Sequence, residues 1–217
     1  MNLIYNRSDF KEFPGRHETQ EDAMAAVRDN GYAIRLVTDQ TEEICMEAVK
    51  QEPMSIKYIH NQTPKVCLEA VSRDGRALEF VQAQTEELRI AAVRNFGIAI
   101  RFCIVQSKEV CELALKDHGT NLRFIKKKTP ELCMMAVSKN GDALEYVIHQ
   151  TPELCMAAVK QNPFSIRFVK KQTPELCMAA VKKAGLSLKY VLEPTEEMKK
   201  CAEQNLPAPV LDPTYWY

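Results

Sequence analysis

Thr151-Pro152-Glu153-Leu154-Cys155-Met156-Ala157-Ala158-Val159-Lys160-Gln161-Asn162-Pro163-Phe164-Ser165-Ile166-Arg167-Phe168-Val169-Lys170-Lys171-Gln172 is one period of a repeat, and its first nine residues return unchanged at Thr173 to Val181. Steps of 22 in either direction land on a hydroxyl residue every time: Thr19, Thr41, Thr63, Thr85, Ser107, Thr129, Thr151, Thr173 and Thr195. Self-similarity at a fixed short period is the mark of a repeat architecture. Eight full units cover residues 19–194, and a ninth begins at Thr195. A unit this short buries its apolar side only against its neighbours, so the array is expected to form one continuous domain.

Within a unit, position 1 is Thr or Ser, position 2 is Pro in four units, and position 3 is Glu in seven of eight. A hydroxyl N-cap, then Pro at the first helical position, then an acid in the first turn is a full helix start. Positions 4, 5, 8 and 9, as in Leu154, Cys155, Ala158 and Val159, fall on one stripe at helical spacing. This helix is expected to end near position 11. Position 13 is then Gly or Pro in all eight units, and six of the seven glycines sit there. Proline fixes φ near about −65°. A backbone that serves both residues therefore has negative φ, with position 13 opening a second helix of seven or eight residues. Positions 15, 16, 18 and 19 run small, Ile or Leu, mostly aromatic, and aliphatic. So short a helix is unstable alone in water and needs its partner. The expected fold is an all-α solenoid of about eight 22-residue helical hairpins. Residues 1–18, with Ile4, Tyr5, Phe10 and Phe13, form an N-terminal cap, and 195–217 a C-terminal cap with an aromatic tail, Thr214 to Tyr217. That tail either packs over the last repeat or docks into a neighbouring molecule.

Composition is that of an ordinary soluble globular chain, at 46% apolar and 27% charged residues. No run reaches the roughly 18 apolar residues of a membrane span. Met1 to Glu18 is polar and does not read as a signal peptide. The expected location is cytoplasmic, with leaderless delivery into a host cell left open. Net charge is zero but unevenly spread: residues 107–192 hold 14 Lys and Arg against 8 Asp and Glu. That excess suits an anionic partner or a solvated lysine-rich face.

Chemistry-bearing residues fail to gather. Six of eight cysteines (Cys45, Cys67, Cys111, Cys133, Cys155 and Cys177) repeat at position 5 on the core stripe. Neighbouring helices about 8–10 Å apart are too distant for disulfides, and no Cys-x-x-Cys pair or nearby His makes a metal site. These thiols read as core. His17, His60, His118 and His149 occupy unrelated positions, and no phosphate loop or nucleophile setting occurs. The expectation is a non-enzymatic chain without metal or cofactor.

Recognition should then live in exposed columns that vary. Position 14, just past the turn, carries Tyr32, Met54, Ile98, Phe164 and Leu186, an apolar row for a partner or a half-buried tip contact. Ile104 and Val105 add an apolar spot where most units are polar. Position 17 forms a basic strip, Arg35, Lys57, Arg101, Arg123, Arg167 and Lys189, broken by Glu79 and Glu145. Such a strip suits an anionic groove-binder. Against nucleic acid, the repeat aromatics at position 18 are assigned to the core, leaving no stacking residues among the cations.

The tandem Thr-Pro-Glu-Leu-Cys-Met-Ala-Ala-Val with a following Ile/Leu-x-Phe/Tyr-Val resembles the helical repeat known as domain of unknown function 4116, over residues 19–194. The match is looser in the first unit, where Asp22 and Ala23 replace Leu-Cys. That family occurs in bacterial and phage proteins and in secreted effectors, without a shared activity. The resemblance implies an interaction module. The expected function is a protein-binding scaffold, such as an effector or phage-type inhibitor of a host protein; the alternative is a nucleic-acid module using the basic second half.

Overall fold

A computed structural model describes residues 19–205. The fold is an all-α solenoid of 22-residue helix–turn units, with no strand among the described residues. The expected cap at 1–18 and the aromatic tail lie outside the described residues. By compactness the chain divides into two units, Met1–Ala91 and Ala92–Tyr217. The first holds α1 (Gln20–Asp29), α2 (Glu42–Gln51) and α3 (Pro64–Arg73), each followed by a shorter 3₁₀ helix: Gly31–Leu36, Pro53–Tyr58 and Gly75–Phe80. The division falls inside α4 (Glu86–Asn95). The second holds α5 (Lys108–Asp117), α6 (Pro130–Lys139), α7 (Pro152–Gln161), α8 (Pro174–Lys183) and α9 (Glu196–Gln204). Its 3₁₀ helices are Gly97–Phe102, Gly119–Phe124, Gly141–Tyr146, Pro163–Phe168 and Gly185–Tyr190.

The α-helices start as their sequence dictates. Thr151 Oγ1 accepts from the Leu154 amide at 3.3 Å and Ser107 Oγ from Val110 at 3.2 Å. Positions 4, 5, 8 and 9 are the core, as with Ile44, Cys45, Ala48 and Val49 in α2 and the equivalent four in α7. Position 8 is alanine in every unit, and a glycine of the period before closes on its carbonyl. A Cβ on Gly141 would stand 2.5 Å from the Ala158 carbonyl oxygen, and Gly31, Gly119 and Gly185 meet Ala48, Ala136 and Ala202 in the same way. None of these glycines is in the left-handed region. Glycine at position 13 thus answers to a close approach to the next helix end. Ahead of Pro53 and Pro163 the preceding residue sits at φ −136° and −135°, against −143° to −152° ahead of glycine. That small swing matches the restriction a proline ring places on the residue before it.

The second element differs from expectation. It is a six-residue 3₁₀ helix, shorter and tighter than the helix of seven or eight residues read from the sequence. Position 19 turns extended immediately after it, so few i→i+4 bonds have room to form, while i→i+3 bonds close at once. The position-15 amide donates to the position-12 carbonyl, as Ala33 does to Asn30 at 2.8 Å. The position-12 side chain then caps the segment, with Asn30, Asp74, Asn140 and Asn162 each accepting from the amide two residues on.

Position 22 supplies the bond between neighbouring periods. Gln62 donates through Nε2 to Ile56 O (3.1 Å) in its own period and Phe80 O (2.9 Å) in the next, and accepts through Oε1 from the Gln82 amide (3.0 Å). Gln40 in the first unit does likewise, and so do Gln106, Gln150 and Gln172 in the second. One amide therefore gives the position-16 carbonyl a second bond and serves a carbonyl and an amide of the next period that no helix satisfies, which is what part-buried backbone requires.

Candidate functional site

With about three residues per turn, a 3₁₀ helix stacks residues i and i+3. Positions 13, 16 and 19 share the buried side, and positions 14 and 17 come into register outside it. Stacking of one period on the next merges two columns that the sequence reading keeps apart. In the first unit Lys57 Nζ lies 5.5 Å from the Tyr32 ring centre and 4.8 Å from that of Tyr58, and the two rings meet edge to face at 6.2 Å. In the second, Arg101 lies over Phe102 and Phe124, at 5.2 and 5.6 Å, and Arg123 over Phe124 at 4.3 Å. Arg167 covers Phe168 and Tyr190, and Lys189 covers Tyr190. Phe164 packs edge-on against Tyr190 at 6.4 Å. Each of these cations lies within the roughly 6 Å of cation–π attraction.

The position-18 rings are therefore not core. Tyr58, Phe80, Phe102, Phe124, Tyr146, Phe168 and Tyr190 are all half-buried, each with part of its ring at the surface. This corrects the expectation that held aromatics away from the cations: they alternate on one face. Tyr32, Met54, Ile98 and Phe164 are half-buried too, tucked into that face, while Leu186 is 48% exposed. Arg35 is exposed, but its period has Leu36 in place of a ring. Where the strip turns acidic, Asp142 accepts from Arg167 Nη2 at 3.0 Å and from Ser165 Oγ at 2.8 Å. Two tyrosines of this face shift in opposite senses. Lys189 first and Arg167 second hold the Tyr190 hydroxyl below the usual phenol range, whereas burial and then Glu145 push Tyr146 up.

Ile104 and Val105 are exposed, as expected of an apolar spot, but at positions 20 and 21 they belong to the loop edge. That edge of the second unit alternates Ile104, Lys126, Ile148, Lys170 and Leu192 at position 20. Lys126 Nζ donates to Cys103 O and Ile104 O, and Lys170 Nζ to Ile148 O. A groove of about 730 Å³ runs between α7 and α8 past Ile148, Met156, Lys170 and Leu176. The reading from sequence missed Ile148 and Leu192, although their column alternates visibly in the chain.

The position-5 thiols line the interior. Burial pushes Cys45 up to about 11 and raises Cys67, Cys111, Cys133, Cys155 and Cys177. A raised thiol is a poor nucleophile and a poor metal ligand at neutral pH. Three of them point at the clamp, with Cys67, Cys155 and Cys177 Sγ at 3.9, 3.7 and 3.6 Å from a glutamine Oε1. Ala23 and Arg89 are the two exceptions in this column, and Arg89 pairs with Glu86 and donates to Gln84 O. Among the described residues no three His, Cys, Asp or Glu gather to hold a metal, and no helix is long and apolar enough to cross a membrane.

The family described as Domain of unknown function (DUF4116) matches residues 41–89, 107–149 and 151–194, more than half of the chain. The chain belongs to that family. Each match starts at a position-1 hydroxyl (Thr41, Ser107, Thr151) and spans about two periods, so a DUF4116 unit corresponds to a pair of the helix–3₁₀ repeats. No curated protein and no solved structure matches.

Proposed function

We propose that the chain is a non-catalytic protein-binding scaffold whose cation–aromatic face takes an acidic segment of a partner protein. The observation that carries this reading is the stacking of Arg101, Arg123, Arg167 and Lys189 on half-buried rings in the second unit. Guanidinium groups held flat against rings are pre-oriented for carboxylates and give up little freedom on binding. The exposed Leu186 beside them offers an apolar anchor. A cytoplasmic effector or phage-type inhibitor acting on a host protein is the role that fits such a scaffold.

Single-stranded nucleic acid is the second reading, because rings and cations alternate as on a stacking platform. Two features favour protein. The ring faces are covered by cations from the same chain, and Asp142 and Glu145 interrupt the strip in its middle. The deciding experiment compares wild type with Arg101→Glu/Arg123→Glu. Affinity capture from the source cell should retain a partner that the double variant loses while its circular dichroism is unchanged. A single-stranded oligonucleotide should not bind at physiological salt. Steep, salt-sensitive oligonucleotide binding would establish the second reading. Capture indifferent to the charge reversal would remove this face from consideration.

A further inference from the structure

One interior period breaks the glutamine clamp. Position 22 of the fifth period is Lys128, where the second unit otherwise has Gln106, Gln150 and Gln172. The lysine turns back to its own period, and Nζ donates to Ile125 O at 2.8 Å. The groups that a glutamine serves at every neighbouring step are Leu122 O, Tyr146 O and the Ile148 amide, with the Cys133 thiol behind them. Leu122 O keeps its bond from the Ile125 amide at 3.1 Å. Tyr146 O, the Ile148 amide and Cys133 Sγ find no protein partner among the described residues. Their counterparts are held: Phe168 O and the Lys170 amide by Gln150, at 2.9 Å each, and Cys155 Sγ lies 3.7 Å from the same amide. A cavity of about 400 Å³ opens at this step, bordered by Cys133, Met134, Val147 and Ile148 with Lys126 and Lys128 at its rim. That volume is in the range of small-ligand clefts, about 300–1,000 Å³.

We propose that this step is a recognition slot for a primary carboxamide, namely the glutamine side chain of a partner polypeptide. The slot demands two donors and one acceptor in one plane: two N–H for Leu122 O and Tyr146 O, and one C=O for the Ile148 amide. A carboxamide carries that set. A carboxylate has no donor, and an extended backbone offers only one N–H per residue. Five glutamines of this chain demonstrate the fit at equivalent steps. Ile148, 72% exposed, and Met134 present apolar surface at the slot for the incoming side chain's methylenes. The site lies on the loop edge and does not rest on the cation–aromatic face.

The test labels the full chain with ¹⁵N-isoleucine and follows the Ile148 amide resonance as acetyl-glutamine-methylamide is added. Acetyl-methionine-methylamide and acetyl-glutamate-methylamide serve as shape controls. The glutamine probe should shift Ile148 saturably, and the two controls should not. Lys128→Gln places the chain's own amide in the slot. It should move the free Ile148 resonance downfield in the absence of probe and abolish the response to the probe. An unmoved Ile148 at the probe's solubility limit overturns the proposal, as does an equal response to the methionine probe or in Lys128→Gln.

Discussion

Gln62→Ala tests the clamp on which the stacking depends. Gln62 makes three backbone hydrogen bonds, to Ile56 O, Phe80 O and the Gln82 amide, at 2.9–3.1 Å, and receives the Cys67 thiol at 3.9 Å. A typical hydrogen bond contributes about 1 kcal/mol net, and a buried group left unpaired costs about 1–3 kcal/mol. Gln62 is only half-buried, so water re-solvates part of what is exposed. The substitution should therefore cost about 3 kcal/mol. For a chain of this size that is a fall in Tm of about 6–12 °C. Repeat arrays lose stability locally as well as globally, so hydrogen exchange at the Gln82 amide is the sharper readout and should quicken most. Gln62→Glu separates hydrogen bonding from packing. The carboxylate keeps the acceptor for Gln82 but faces two carbonyl oxygens, which raises its folded pKa above the ordinary value near about 4.3. Stability tied to a raised pKa is present below the unfolded value and lost as pH rises through the folded one. Gln62→Glu should then resemble wild type more closely at acid pH than at neutral pH. A Gln62→Ala melting point within about 2 °C of wild type, with unchanged exchange at Gln82, would refute the reasoning.

Other substitutions probe single positions. Ser55 and Ser187 bury hydroxyls that find no partner, at a position where four periods have alanine; Ser55→Ala should be neutral or stabilising by about 1 kcal/mol in a thermal melt. Gly141→Ala puts a methyl 2.5 Å from Ala158 O and 2.7 Å from Ser165 Oγ, and should cost about 1–3 kcal/mol by denaturant titration through overpacking alone. The buried thiols have raised pKa values, so their contribution is complete below the ordinary thiol range near about 8.5 and fades as pH climbs toward the value of about 11 at Cys45. Melting temperature should accordingly drop across that alkaline window. Iodoacetamide at neutral pH should label the half-buried Cys201 first, with the six position-5 thiols reacting only on unfolding.

The α-helices were legible because each of their determinants is local. A hydroxyl, a proline and an acid at fixed offsets, followed by a 3.6-residue stripe, specify a start, a direction and a buried face without reference to the rest of the chain. The second element was not legible in kind. Six residues carry too few apolar positions to separate a period of 3.6 from one of 3.0, and the choice fell to where the chain straightens at position 19. That choice has a functional consequence. On an α-helix position 14 would have stood over position 18; on the 3₁₀ helix it stands over position 17, and stacking of the next period then sets Lys57 over Tyr32.

The glutamines show the opposite failure. Their column holds in six of eight periods, yet its meaning depends on a carbonyl 18 residues ahead and an amide 20 residues ahead, as Gln172 reaches Tyr190 and Leu192. No local rule assigns a role to a polar residue before a helix cap, so only the stacked geometry reveals it. The same logic makes Lys128 informative. A column held fixed by a structural demand marks its own exceptions, and an exception at an interior step leaves the demand standing while removing what met it. In this chain the demand is for a carboxamide.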